Sequence, residues 1–155
     1  MIDVMTEKEL LVQKIRNGTV IDHIVAGKAL QVLSILGVSG SEGKTITVAM
    51  NVPSRKYGRK DIIKIENTYL SSEITNKISL ITPHATVNII KEYEVIEKRP
   101  LELPEEFIGL FKCPNPNCIT NSDEPIETKF YLTSKDPPLL RCRYCGRIYS
   151  SSEVI

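Results

Sequence analysis

Cys113-Pro-Asn-Pro-Asn-Cys118 and Cys142-Arg-Tyr-Cys145 hold all four cysteines of this 155-residue chain. Two close pairs on tight turns can bring four thiolates to the corners of a tetrahedron, the arrangement of a closed structural Zn²⁺ site. Pro114, Asn115, Pro116 and Asn117 supply turn chemistry in the first pair, and Gly146 follows the second. Two disulfides are the alternative. They need an oxidising compartment, and no leader-like apolar segment supports one, so a cytoplasmic address is expected. Four thiolates would also leave no open position for a catalytic water.

Around the cysteines, Phe107 to Lys112, Glu127 to Leu132, Leu139 to Arg141 and Arg147 to Ser150 are short β-prone pieces. They predict a small all-β zinc-binding domain. About 50 residues bury too little apolar surface to be secure alone, so the metal is expected to supply folding energy. Pro100 to Pro104 carries two prolines and reads as a linker, giving domains at 1–103 and 104–155.

The longer N-terminal part reads as alternating elements. Glu7 to Ile15 is a short helix or an arm. Thr19 to Val25 is a β-branched strand, and Ala29, Leu30, Val32, Leu33 and Leu36 repeat at helical spacing before Gly37. Ile46, Val48, Met50 and Val52 alternate with Thr45, Thr47, Ala49 and Asn51, predicting a half-buried strand. Asp61 to Glu66 is a strand with Ile63 and Ile65 on one face and Lys64 and Glu66 on the other. Ser71 is an N-cap for a helix marked by Ile74, Ile78 and Ile81, and His84 to Ile90 and Tyr93 to Ile96 return to strand. The fold class is therefore α+β: a ferredoxin-like βαββαβ plait, two helices covering one face of an antiparallel sheet, followed by the zinc-binding domain.

Formal net charge is +1, from 20 basic and 19 acidic residues. That balance gives poor support to general nucleic-acid binding, and no apolar run approaches a membrane span. Gly40-Ser-Glu-Gly43-Lys44-Thr45 lacks the glycine spacing of a phosphate loop and joins a helix to a strand, the wrong order. No nucleophile–base pair stands out, and the cysteines are committed to metal. The polar residues of the plait suit a different chemistry. Asp22 can bridge ribose hydroxyls, His23, Lys60, Lys64 and Lys98 can balance a polyphosphate, and Asn88 can read it by hydrogen bonds.

Gly18-Thr-Val-Ile-Asp-His-Ile24, Gly58-Arg-Lys-Asp-Ile-Ile-Lys-Ile-Glu-Asn67, Ala85-Thr-Val-Asn88, Tyr93-Glu-Val95 and the first cysteine pair resemble, in order, the regulatory chain of aspartate carbamoyltransferase. The resemblance covers nearly the whole chain from about Val12. It implies a non-catalytic subunit that binds CTP and ATP, sometimes with UTP, and tunes pyrimidine synthesis. It implies a homodimer, and a heterododecamer of two catalytic trimers and three regulatory dimers in which the zinc domain grips the catalytic chain. It implies that Val12 and Ile15 contact the base, that Asp22 and Lys64 meet ribose and base, and that His23, Asn88 and Lys98 face the phosphates with Lys60 close by. Ile90, Tyr93 and Val95 would line the base pocket, and Asn115 and Asn117 would sit at the catalytic-chain contact. The competing reading is a zinc-ribbon nucleic-acid-binding regulator, for which the basic residues Lys112, Lys129, Lys135, Arg141, Arg143 and Arg147 speak. A metalloenzyme would need an open metal position.

Overall fold

The computed structural model describes residues 14–124 and 126–155. Val12 and most of the expected segment from Glu7 to Ile15 lie outside the described residues. The chain forms two compact units, one running to Leu70 and again from His84 to Pro100, the other made of Ser71–Pro83 and Leu101–Ile155.

The first unit contains strand β1 (Gly18–Val25), helix α1 (Ala29–Leu36), and strands β2 (Ile46–Ser54), β3 (Gly58–Glu66), β4 (Thr86–Lys91) and β5 (Glu94–Pro100). The strands pair antiparallel in the order β2-β3-β1-β4-β5. The first four in that order are those of the expected plait, and β5 adds a strand at the edge. Period-two alternation separates the faces. Ile21, Ile63, Ile65 and Val87 are buried on one face, while Val20, Lys64 and Asn88 on the other are only half covered. β2 forms where its alternation predicts, but as an edge strand it leaves Val48 and Met50 exposed.

Two features hold this unit's irregular points. Gly18 opens β1 at φ +145°, and a Cβ there would lie 2.1 Å from the Ile65 carbonyl oxygen, so only glycine fits. Asp61 is fully buried on β3. One carboxylate oxygen accepts from the N–H groups of Gly27 (2.9 Å) and Ala29 (3.0 Å), the other from Asn51 N–H (2.7 Å). The carboxylate therefore satisfies a donor at the start of α1, whose own N-cap Lys28 offers no side-chain bond. It also secures β2 at the register shift between Ala49 and Val52. At its other end α1 stops on Gly37 (φ 69°), whose N–H reaches the Leu33 and Ser34 carbonyls.

The second unit contains helix α2 (Ser72–Ile81), strands β6 (Glu106–Ile108), β7 (Lys129–Lys135), β8 (Pro138–Cys142) and β9 (Ile148–Ser150), and a closing helical turn α3 (Ser151–Val154). Its sheet runs β9-β8-β7-β6, all antiparallel. Ser71 caps α2 by accepting from Ile74 N–H. α2 is the second helix of the plait in sequence order, yet by packing it belongs here. Leu80 sits in one apolar cluster with Phe107, Phe111, Phe130, Leu140 and Tyr149. Ser150 and Glu153 form a capping box that starts α3.

Replacing Asp61 by Ala strands three N–H groups, one of them at a helix start. The expected loss is about 3 kcal/mol of stability, read as a lower urea midpoint by circular dichroism. A midpoint equal to wild type would show that water replaces the carboxylate at no cost.

Candidate metal centre and ligand cleft

The two cysteine pairs converge in the second unit. The Sγ atoms of Cys113, Cys118, Cys142 and Cys145 all lie within 4.8 Å of one another, and no disulfide joins them. Cys113 and Cys145 are 3.7 Å apart, Cys118 and Cys142 3.8 Å. A metal–sulfur bond of about 2.3 Å gives a regular tetrahedron an edge of about 3.8 Å. The sulfurs are thus spaced as the corners of a tetrathiolate shell.

Local turns aim donors at these sulfurs. The N–H groups of Asn115, Thr120 and Arg147 point at Cys113, Cys118 and Cys145, and those of Tyr144 and Cys145 at Cys142. Side chains add to them. Thr120 Oγ1 donates to Cys118 Sγ at 3.2 Å, and Tyr149 OH lies 3.8 Å from Cys113 Sγ. Burial pushes the Cys113 thiol up to about 12. At Cys145 burial acts in the same upward sense, but the Arg147 N–H, the Asn115 amide and the neighbouring Cys142 and Cys113 side chains together outweigh it and bring the thiol down to about 6. Asn115 is 8% exposed, its Oδ1 accepts from Asn117 N–H at 3.1 Å, and its carbonyl takes the Asn121 amide. It shapes the metal loop from inside, whereas Asn117 is exposed. The hydroxyls of Thr120 and Tyr149 were not legible from cysteine spacing; only the fold brings Tyr149, 36 positions away, to Cys113.

The cleft in the first unit has a volume of about 390 Å³ and lies on the half-covered face of the sheet. Lys64, Val20, Asn88 and Lys98 pair in register across β3, β1, β4 and β5, so their side chains share that face. Seven of the expected residues line the cleft: Ile15, Asp22, Lys64, Asn88, Ile90, Tyr93 and Val95. Lys14, Val20 and Ile62 line it too. The last two were visible as the same-face neighbours of Asp22 and Lys64, two positions away on their strands.

His23, Lys60 and Lys98 are not in the cleft wall. Lys60 Nζ pairs with Asp22 Oδ1 at 2.9 Å. His23 adopts φ 57° at an irregularity of β1, and its Nδ1 lies 3.4 Å from Thr86 Oγ1 and 4.0 Å from Asp22 Oδ2. Asp22 thus joins the cleft to these flanking groups. Burial lowers the Lys64 pKa, the nearby Lys14 lowers it further and Asp22 opposes both. An anion in the cleft would restore it. Asn88 Oδ1 is buried with no hydrogen-bond partner among the described residues, an unmet acceptor of the kind a ligand or water satisfies.

The turn that carries Tyr93 is anchored to the segment before β1. Glu92 and Tyr93 both have positive φ (47° and 67°). Arg16 binds the Glu92 carboxylate at 2.9 and 3.2 Å, Arg16 O accepts from Tyr93 N–H, and Asn17 Oδ1 accepts from Glu92 N–H. In the loop at 39–43, the Glu42 carboxylate takes the N–H groups of Ser39 and Gly40. Donors that a phosphate loop would offer are already occupied. No helix among the described residues is long and apolar enough to cross a membrane.

Comparison with known proteins matches residues 10–102 to the aspartate carbamoyltransferase regulatory chain, allosteric domain, and residues 105–155 to the metal binding domain of the same chain. A regulatory chain from Cenarchaeum symbiosum is 54% identical over 150 residues, covering 97% of this chain and 98% of the relative. One from Saccharolobus solfataricus is 52% identical over 155 residues, covering 100% and 98%.

The thiolate centre has a direct consequence for pH. Protons compete with a metal for sulfur, so metal release to a chromophoric chelator is expected to rise as pH falls. Retention independent of pH would mean that the sulfurs are not the ligands.

Proposed function

This chain belongs to the family of aspartate carbamoyltransferase regulatory chains, and from that premise we propose that its cleft binds nucleoside triphosphates while its four cysteines hold one Zn²⁺. The family is non-catalytic. In this reading residues 1–103 carry the effector site, and 104–155 carry the zinc and the contact with the catalytic chain.

The observation that supports the cleft reading is the row Lys64, Asn88 and Lys98 on one sheet face, beside Asp22 and Lys60. Lysines on this scale neutralise a polyphosphate, the Asp22 carboxylate accepts from ribose hydroxyls, and Ile15, Ile90, Tyr93 and Val95 offer apolar surface to a base. CTP, ATP and UTP share this chemistry. His23, Asn88 and Lys98 would face the phosphates with Lys60, and Val12 would join Ile15 at the base.

For the metal, Zn²⁺ suits a closed tetrathiolate shell because it is redox-inert and tetrahedral with sulfur. It would be a structural ion that ties the two turns together. Exposed Asn117 would meet the catalytic chain, with Asn115 shaping the loop behind it. The assembly would be two catalytic trimers and three regulatory dimers, acting in the cytoplasm on pyrimidine synthesis. Regulation would be linkage: a nucleotide shifts the balance between two quaternary states by its difference in affinity for them.

Lys64→Ala and Lys98→Ala should each weaken CTP and ATP binding to the full chain by at least about tenfold, measured by calorimetry, with metal content unchanged. Wild-type affinity in both variants would remove the effector assignment. Elemental analysis of the purified chain should give close to one zinc per polypeptide.

A further inference from the structure

Among the described residues, Tyr149, Thr120 and Asn115 are polar side chains buried around the cysteines, at 7%, 6% and 8% exposure. A buried hydroxyl or amide is unfavourable unless something accepts its proton. For the two hydroxyls a sulfur is in reach: Thr120 Oγ1 donates to Cys118 Sγ (3.2 Å), and Tyr149 OH lies 3.8 Å from Cys113 Sγ. Tyr149 stands in an aromatic cluster, its ring 6.4 Å from that of Phe130 and nearly perpendicular to it. A phenylalanine would fill the same space, so packing does not explain the hydroxyl.

We propose that Tyr149 and Thr120 are positioning residues of the metal centre: each shields one thiolate with a hydrogen bond, and together they set how fast the metal leaves and how readily the sulfurs react. Four thiolates and one divalent cation leave a net charge of about −2 in an apolar surrounding. A donor on a sulfur spreads that charge and lowers the sulfur's nucleophilicity, as outer groups do at other metal sites.

The shielding is uneven. Cys142 is fully buried and its donors are the N–H groups of Cys145 and Tyr144. Cys145 is the half-buried member of the four. Reagents therefore reach Cys145 first. This proposal depends on metal binding and not on the nucleotide reading.

The test uses the full, metal-loaded chain with Tyr149→Phe and Thr120→Val. Release of metal to a chromophoric chelator, alone and with an aromatic disulfide as thiol reagent, should accelerate on the order of tenfold in each variant. In Co²⁺-loaded samples the sulfur-to-metal charge-transfer band should move to longer wavelength, because an unshielded thiolate gives up its electron more easily. Both substitutions remove only a donor and keep the size of the side chain. Wild-type release and band position in both, or faster release without a band shift, would overturn the proposal.

Discussion

Four sulfurs held within 4.8 Å of one another repel as thiolates and are drawn together by a cation between them. The second unit depends on that constraint. Cys113, Cys118 and Cys142 are themselves members of its apolar cluster, alongside Phe107, Phe111, Phe130 and Leu140. The ion-binding turns and the hydrophobic core are therefore one structure. Short strands such as β6 and β9, three residues each, have little cohesion of their own. They are held between the cluster and the cysteine turns.

The first unit rests on a different balance. Its sheet has one face of isoleucines and valine, fully buried, and one face of mixed character where the cleft lies. Burial of the first face provides the stability that allows lysines and an unsatisfied asparagine oxygen to persist on the second. Asp61 is the exception on this strand, a carboxylate at a core position. It is tolerated because three backbone donors surround it, and it holds together the start of α1 and the irregular part of β2.

Local patterning and packing part company at α2. Ile74, Ile78 and Ile81 mark a helix whatever surrounds it, and Ser71 caps it as its position predicts. Which core receives the helix is a non-local matter, and Leu80 lies with Phe107 and Phe130, more than 25 positions away along the chain. β2 is similar. Its alternation is plain, but its place at the sheet edge leaves Val48 and Met50 open to solvent. Alternation reports which side chains share a face and carries no information about what covers that face.

Strand periodicity marked the strands that carry Asp22, Lys64 and Asn88, but only the fold brings these residues into one cleft, and Ile90 was expected there from the family resemblance alone. Val12 falls outside the described residues. His23 and Lys60 stand beside the cleft because a β1 irregularity and an ion pair to Asp22 set their positions, neither of which leaves a mark in composition, and Lys98 lies on the edge strand β5. The sequence by itself determined the two cysteine pairs and the order of the elements, because thiolate chemistry and hydrophobic period are properties of short stretches. Only the tertiary structure decided that Tyr149 turns toward a sulfur, that Asp61 serves three donors, and that α2 joins the aromatic core. Those are meetings of residues distant in the chain, and no local pattern encodes them.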